Sequence, residues 1–170
     1  MKLSRFRVLG MLGALAVLAL GFLSGLPATA ALLAKAPSAR PMVAELIGET
    51  IVLPDADRQA IRAVIERQLD AFLRDDGMAA FSYATPNIQG IFESPENFMS
   101  MVKNGYQPVY RPQAVTFRDI IDLHGAPAQR VLVVGPDGVP VIAVYPMQRM
   151  PDGSWLINGC YLLAYPRDEA

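Results

Sequence analysis

The stretch Gly135–Tyr165, GPDGVPVIAVYPMQRMPDGSWLINGCYLLAY, decides the fold. It carries Pro-Asp-Gly twice, at 136–138 and at 151–153. Each copy is a turn signal between apolar runs, because proline pre-sets φ at the first corner and glycine supplies the positive φ at the exit. Val139–Met147 lies between the two turns and Ser154–Tyr165 follows the second. Connections this short join antiparallel neighbours, since parallel strands need a long crossover. In the last strand Trp155, Ile157, Tyr161 and Leu163 are expected on one face, and Asn158-Gly159 predicts a bulge.

Upstream, Arg130–Val134 reads as a short apolar strand. Val115, Phe117, Ile121 and Leu123 keep a period of two with a slip at Asp119, which predicts a second bulge. From Ala114 onward the chain therefore reads as a curved antiparallel meander. Before it the period is helical. Ile61, Val64, Ile65, Leu69, Phe72 and Leu73 form an apolar stripe, against Arg58, Arg62, Glu66, Arg67, Asp70 and Arg74 on the other face. Asp55-Ala56-Asp57 after Pro54 predicts an acidic cap, and Gly77 is expected in the left-handed cap at the helix end.

Between helix and sheet lies Phe81–Pro112, FSYATPNIQGIFESPENFMSMVKNGYQPVYRP. Met78–Tyr83 reads as a short helix. Thr85-Pro86 and Ser94-Pro95 each pair a capping side chain with proline at the first helical position, so two further short helices follow. The exit Tyr106–Pro112, with Pro108 and Pro112, is expected to be extended. Helices first and an antiparallel sheet afterwards define an α+β domain, with the helices packed on one sheet face. A long helix, short helices and a bent sheet suit a cone with a pocket between helix and sheet, the architecture of the nuclear-transport-factor-2-like (cystatin-like) superfamily.

The N-terminus has a different character. Lys2, Arg5 and Arg7 precede the uncharged run Val8–Leu26, Pro27 and then Ala28-Thr29-Ala30. A basic start, an apolar core and small residues at an A-x-A site make an export signal. The apolar run is also about the ~20 residues that cross a hydrocarbon core, so residues 1–30 are a cleaved signal or a retained anchor. Either way the remainder is expected outside the cytoplasm, as a periplasmic or secreted domain or one anchored in the inner membrane. Residues 31–54 are read as a linker, 55–166 as the globular domain and 167–170 as a polar tail. Within the linker, Met42–Leu53 is apolar enough to hold a short strand or pack on the domain. A net charge of −1 gives no footprint for nucleic acid. The single cysteine, Cys160, excludes an intramolecular disulfide, so stability must come from the core.

Several phrases carry a resemblance: Gln68-Leu69-Asp70-Ala71-Phe72, Phe81-Ser82-Tyr83-Ala84, Tyr110-Arg111-Pro112, Asp152-Gly153-Ser154-Trp155 and Gly159-Cys160. Over Asp57–Tyr165 the chain resembles the bacterial family catalogued as domain of unknown function 4864. The resemblance implies a secreted or membrane-tethered bacterial domain. It implies no activity, because the family brings no assigned catalytic residues.

The chemistry on offer is sparse. No metal motif and no phosphate loop is present, and no cofactor is expected. His124, the only histidine, sits two residues from Asp122, an acid–base spacing that is more often a polar strand end. Cys160 as a nucleophile needs a base and a lowered pKa, and a lone cysteine on an apolar strand is usually a small core residue. Ser154 lies in a turn and lacks an elbow context. Asp70 flanks core positions on the long helix, so a pocket-facing carboxylate would be a base, with Tyr83, Tyr106 and Tyr110 as hydroxyl donors. The bland alternative pairs Asp70 with Arg67 or Arg74 at the surface. Tyr83, Tyr106, Tyr110 and Arg111 are the expected ligand contacts, and the methionines Met78, Met99, Met101, Met147 and Met150 suit an adaptable apolar lining or a small core. Three functions follow from the residues: binding of a small apolar or amphipathic ligand or a partner protein, an isomerase or dehydratase with Asp70 as base, and an envelope module that forms homodimers. Membrane contact is expected only through the N-terminal segment.

Overall fold

The computed structural model describes residues 48–165. The expected export segment, most of the linker and the polar tail lie outside the described residues. Among the described residues no helix is long and apolar enough to cross a membrane.

Helix α1, Asp55–Leu73, is built on the predicted stripe. Ile61, Ile65, Leu69 and Phe72 are buried, and Arg62 on the opposite face pairs with Glu66 at 2.8 Å. Fully burying an isoleucine side chain stabilises by about 1.5–3 kcal/mol, so this stripe fixes how the helix docks. Its ends differ from the expectation. The N-cap is Pro54, with no side-chain cap. Asp57 instead accepts a hydrogen bond from Trp155 Nε1 at 3.0 Å, which ties the first turn to the sheet. The left-handed residue at the far end is Asp75, with φ of 56°, and Gly77 already belongs to α2.

Four short helices follow: α2 (Gly77–Ser82), α3 (Pro86–Phe92), α4 (Pro95–Gly105) and α5 (Gln107–Tyr110). Asp76, Thr85 and Ser94 cap the first three through their side chains, with proline at the start of α3 and α4. Thus local cap chemistry divides this segment. The exit was expected to be extended, but Gln107–Tyr110 closes a helical turn. Pro108 lies in the first turn, where its missing N–H costs no helical bond.

The sheet comprises β1 (Ala114–Leu123), β2 (Ala126–Val134), β3 (Pro140–Arg149), β4 (Trp155–Ile157) and β5 (Tyr161–Ala164). The first three pair in sequence, all antiparallel, and β4 and β5 both pair with β3. The two Pro-Asp-Gly turns close alike. Gly138 N–H donates to Gly135 O and Gly153 N–H to Met150 O, and both glycines have positive φ, 77° and 86°. Residues 49–51 run along the outer edge of β1, where Thr50 bridges Ile121 and Ile51 N–H donates to Ile120 O at 2.9 Å. The end of the expected linker is therefore part of the domain.

Both predicted bulges exist, and each switches which residues face the helices. In β1 the register shifts between Phe117 and Ile120, so Phe117 and then Ile120 lie on the helix side, while Ile121 and Leu123 lie on the other. Gln129 fills the gap by donating from Nε2 to Arg118 O at 2.8 Å, and Arg130 and Thr50 hold the Asp119 carboxylate. Along β3 the register slips by one residue between the Met147–Ile157 and Val144–Tyr161 pairs. Trp155 and Ile157 therefore join the main core, as do Cys160 and Leu162 beyond the bulge. The expectation that Tyr161 and Leu163 share the Trp155 face is overturned: one extra residue at 158–160 inverts the alternation, leaving Tyr161 exposed and Leu163 on the opposite sheet face.

Candidate functional site

The helices and the bulged end of the sheet border a half-open cavity of about 380 Å³. Its walls come from α1, α3, α4, the turn into α5, the middle of β3 and the bulge at Asn158–Cys160. Each wall is placed by a bond already visible in the backbone. The chain at Tyr83–Thr85 lies along β4, with Ile157 N–H donating to Tyr83 O and Thr85 N–H to Ile157 O, both at 2.9 Å. Thr85 is fully buried: its hydroxyl caps α3 and donates to Asn158 Oδ1 at 2.9 Å, which locks the bulge to the helix. Phe98 packs against Phe72, Phe81 and Phe92 at centroid distances of 6.0, 5.4 and 5.5 Å, giving α4 an aromatic anchor.

Among the described residues, no aspartate, glutamate, lysine, arginine or histidine lines the cavity. The polar groups are few: Gln68 and Tyr145 are buried, Tyr106 and Cys160 are half-buried, and Asn158 is exposed at the mouth. Gln68, 4 % exposed, donates from Nε2 to Ala80 O at 3.1 Å and leaves the carbonyl half of its amide outside that bond. Tyr145 is 1 % exposed, and among the described residues its hydroxyl is the one buried side-chain polar atom with no hydrogen-bond partner. The Cys160 sulfur is its nearest polar neighbour and a weak acceptor for it; burial first, and then Cys160, raise the Tyr145 hydroxyl. Burial pushes the Cys160 thiol up to about 12, against a small opposing effect of Tyr145. Burial likewise raises Tyr106, with the neighbouring Cys160 and Tyr161 adding to the shift. At neutral pH the site is therefore uncharged, and Cys160 is a neutral thiol and no thiolate nucleophile. Ile91, 64 % exposed, and Tyr161, 49 % exposed, form an apolar rim.

Of the residues singled out from sequence as candidate contacts, Tyr106, Cys160 and, among the methionines, Met101 line this cavity. Asp70 is exposed on the charged face of α1, which removes the geometry of a pocket base. The physical reason is the helical repeat. Gln68 lies three residues from Ile65 and seven from Ile61, inside the apolar stripe, whereas Asp70 lies four from Glu66 on the polar face. Gln68 could have been found by that spacing, as a polar residue in an apolar stripe. Tyr83 is half-buried against the core beside α2 and is not among the lining residues. His124 occupies the two-residue turn between β1 and β2, exposed, with φ of 57° beside Gly125 at 83°. Asp122 accepts from Gly125 N–H at 2.8 Å and so holds that turn. Ser154 donates to Asp152 Oδ1 at 2.6 Å within its own turn.

Tyr110 and Arg111 form a separate structural clamp. The Arg111 guanidinium stacks on the Tyr110 ring at 3.7 Å, donates to Phe72 O at the end of α1, and pairs with Asp75 at 2.7 Å. Tyr110 and Lys103 also hold the Asp75 carboxylate, and the Tyr110 hydrogen bond, then Lys103, lower it to about 2. This network satisfies an orphan carbonyl at the helix C-terminus and fixes Asp75 in its left-handed conformation. Tyr145 had no sequence signal of its own, since its position in β3 reads as ordinary core.

No curated protein and no solved structure matches the chain significantly. Residues 54–170 match a family model described as Domain of unknown function (DUF4864). That match takes in every wall of the cavity, and the chain belongs to this family.

Proposed function

We propose that the domain binds a small apolar or amphipathic molecule in the cavity between its helices and the bulged sheet. The carrying observation is an apolar-walled space of about 380 Å³ whose lining, among the described residues, holds no charged side chain. Ligand sites of this kind are concave and mostly apolar, with a few convergent polar groups, and 300–1,000 Å³ is their usual range. No observation favours the isomerase reading, because among the described residues the lining offers no carboxylate or imidazole to serve as base. The long first helix, short helices, bulged antiparallel sheet and cavity support a nuclear-transport-factor-2-like cone. Basic residues before Val8–Leu26 support a domain outside the cytoplasm, and a mature protein beginning at Ala31 would distinguish cleavage from anchoring.

Titration of isotope-labelled protein with naphthalene tests the binding reading. The expected result is saturable shifts confined to residues such as Ile88, Val102, Tyr145 and Cys160. Met101→Trp, which places an indole into the same space, is expected to weaken binding at least tenfold. Shifts scattered over the surface, or unaffected by Met101→Trp, would contradict the proposal.

A further inference from the structure

One wall residue narrows the chemistry of the ligand. We infer that the cavity takes an uncharged molecule that donates one hydrogen bond, an alcohol or phenol on an apolar body, to the side-chain carbonyl of Gln68. The inference rests on the proposal that the cavity is a ligand site.

Gln68 sits within the buried stripe of α1 and is 4 % exposed. Glutamine is mostly a surface residue, and burying its amide costs free energy wherever a hydrogen bond is missing. One half of the amide is bonded, since Nε2 donates to Ala80 O at 3.1 Å. That contact also orients the group, because only the NH₂ end can face a carbonyl oxygen. The other half, Oε1, has no hydrogen-bond partner among the described residues. It is not sealed either. Among the described residues the Tyr145 hydroxyl is the one fully enclosed side-chain polar atom without a partner, so the unbonded Gln68 oxygen keeps accessible surface. Gln68 lines the cavity, so that surface borders the space a ligand would fill. The other carboxamide of the lining is already engaged: Asn158 Oδ1 accepts from the Thr85 hydroxyl at 2.9 Å.

A carbonyl acceptor selects a donor. A ligand offering only oxygen lone pairs would set two acceptors against each other, and a hydrocarbon would cover the Gln68 oxygen without bonding it. An ammonium would lose its hydration with no carboxylate in the described lining to answer its charge, which costs far more than burying a neutral group. A hydroxyl satisfies the oxygen and brings no charge. The apolar walls, among them Phe72, Ile88, Phe98 and Val102, suit the body of such a molecule.

Two probes of nearly one shape, 2-naphthol and 2-methylnaphthalene, differ in the donor. A phenol keeps its proton at pH 7. Affinities are measured by calorimetry on the wild-type protein and on Gln68→Met, which replaces the amide with an unbranched apolar chain. The ratio of the two affinities is compared between the proteins, so that the different hydrophobicity of the probes cancels. The preference for 2-naphthol over 2-methylnaphthalene is expected to be about fivefold higher in wild type, the size of one neutral hydrogen bond. The same ratio in both proteins would overturn the inference and leave the cavity as an apolar site. Gln68→Met also loses the bond to Ala80 O, so a second reading uses isotope-labelled wild-type protein alone. The Gln68 carboxamide carbon is expected to move downfield with 2-naphthol and not with 2-methylnaphthalene, because a hydrogen bond to the oxygen deshields it. A carboxamide signal that responds alike to both bound probes would equally overturn the inference. Binding by neither probe would overturn the ligand site itself.

Discussion

Tyr145→Phe is expected to make the unliganded protein more stable. The side chain is 1 % exposed and its hydroxyl has no hydrogen-bond partner, so folding removes that group from water without replacing its bonds. Leaving a buried polar group unsatisfied costs about 1–3 kcal/mol. The adjoining Cys160 offsets a part of this, since its sulfur is a weak acceptor for the Tyr145 hydroxyl. Removing the oxygen leaves the ring and its packing in place, and creates a void of one atom beside an existing cavity. The net expectation is a gain of roughly 0.5–2 kcal/mol, or about 4–8 °C in Tm per kcal/mol for a domain of this size. Urea unfolding at pH 7 reads the change as a higher midpoint with an unchanged slope. A loss of 1 kcal/mol or more would refute the reasoning, because it would mean that the hydroxyl is well bonded in the folded state.

Other outcomes follow from the same contacts. Arg111→Ala is expected to cost about 1–2 kcal/mol, from the lost bond to Phe72 O, discounted because the side chain is a third exposed, and to leave probe binding unchanged. Asp75 has a folded pKa of about 2, below its unfolded value of about 3.9, so its contribution is complete above pH 4 and is lost as pH falls toward 2. Acid unfolding of Asp75→Asn should accordingly show a weaker pH dependence in that window, and an unchanged profile would count against the clamp. Iodoacetamide at pH 8 should label Cys160 very slowly in the folded protein, because a thiol at about 12 is only about 10⁻⁴ ionised there, and at an ordinary rate in urea. Fast labelling of the native protein would place the thiol in solvent. Gln68→Leu should cost about 1–3 kcal/mol by stranding the Ala80 carbonyl.

Local chemistry was the legible part of this chain. Thr85 and Ser94 announce their helices because a cap is decided within four residues. The two Pro-Asp-Gly turns announce the meander because the positive φ at Gly138 and Gly153 is a demand that glycine meets on the spot. The bulges were legible as positions but their effect was harder to carry. One extra residue at 158–160 turns Cys160 toward the helices and Tyr161 away, and strict alternation read across it gives the wrong face. The site itself depends on tertiary placement. Tyr145 and Gln68 lie 77 positions apart in sequence by their numbers and meet at one cavity only because α1 crosses the sheet there. Conversely, Tyr110 and Arg111 looked like ligand contacts because aromatic and guanidinium groups bind ligands. The same stacking chemistry serves here to hold the end of α1.

The most direct test is an experimental structure of the protein soaked with naphthalene. The rings are expected inside the cavity, among Phe72, Phe98 and Val102. Rings bound only on the outer surface, or a cavity that stays empty at saturating naphthalene, would contradict the ligand-site reading.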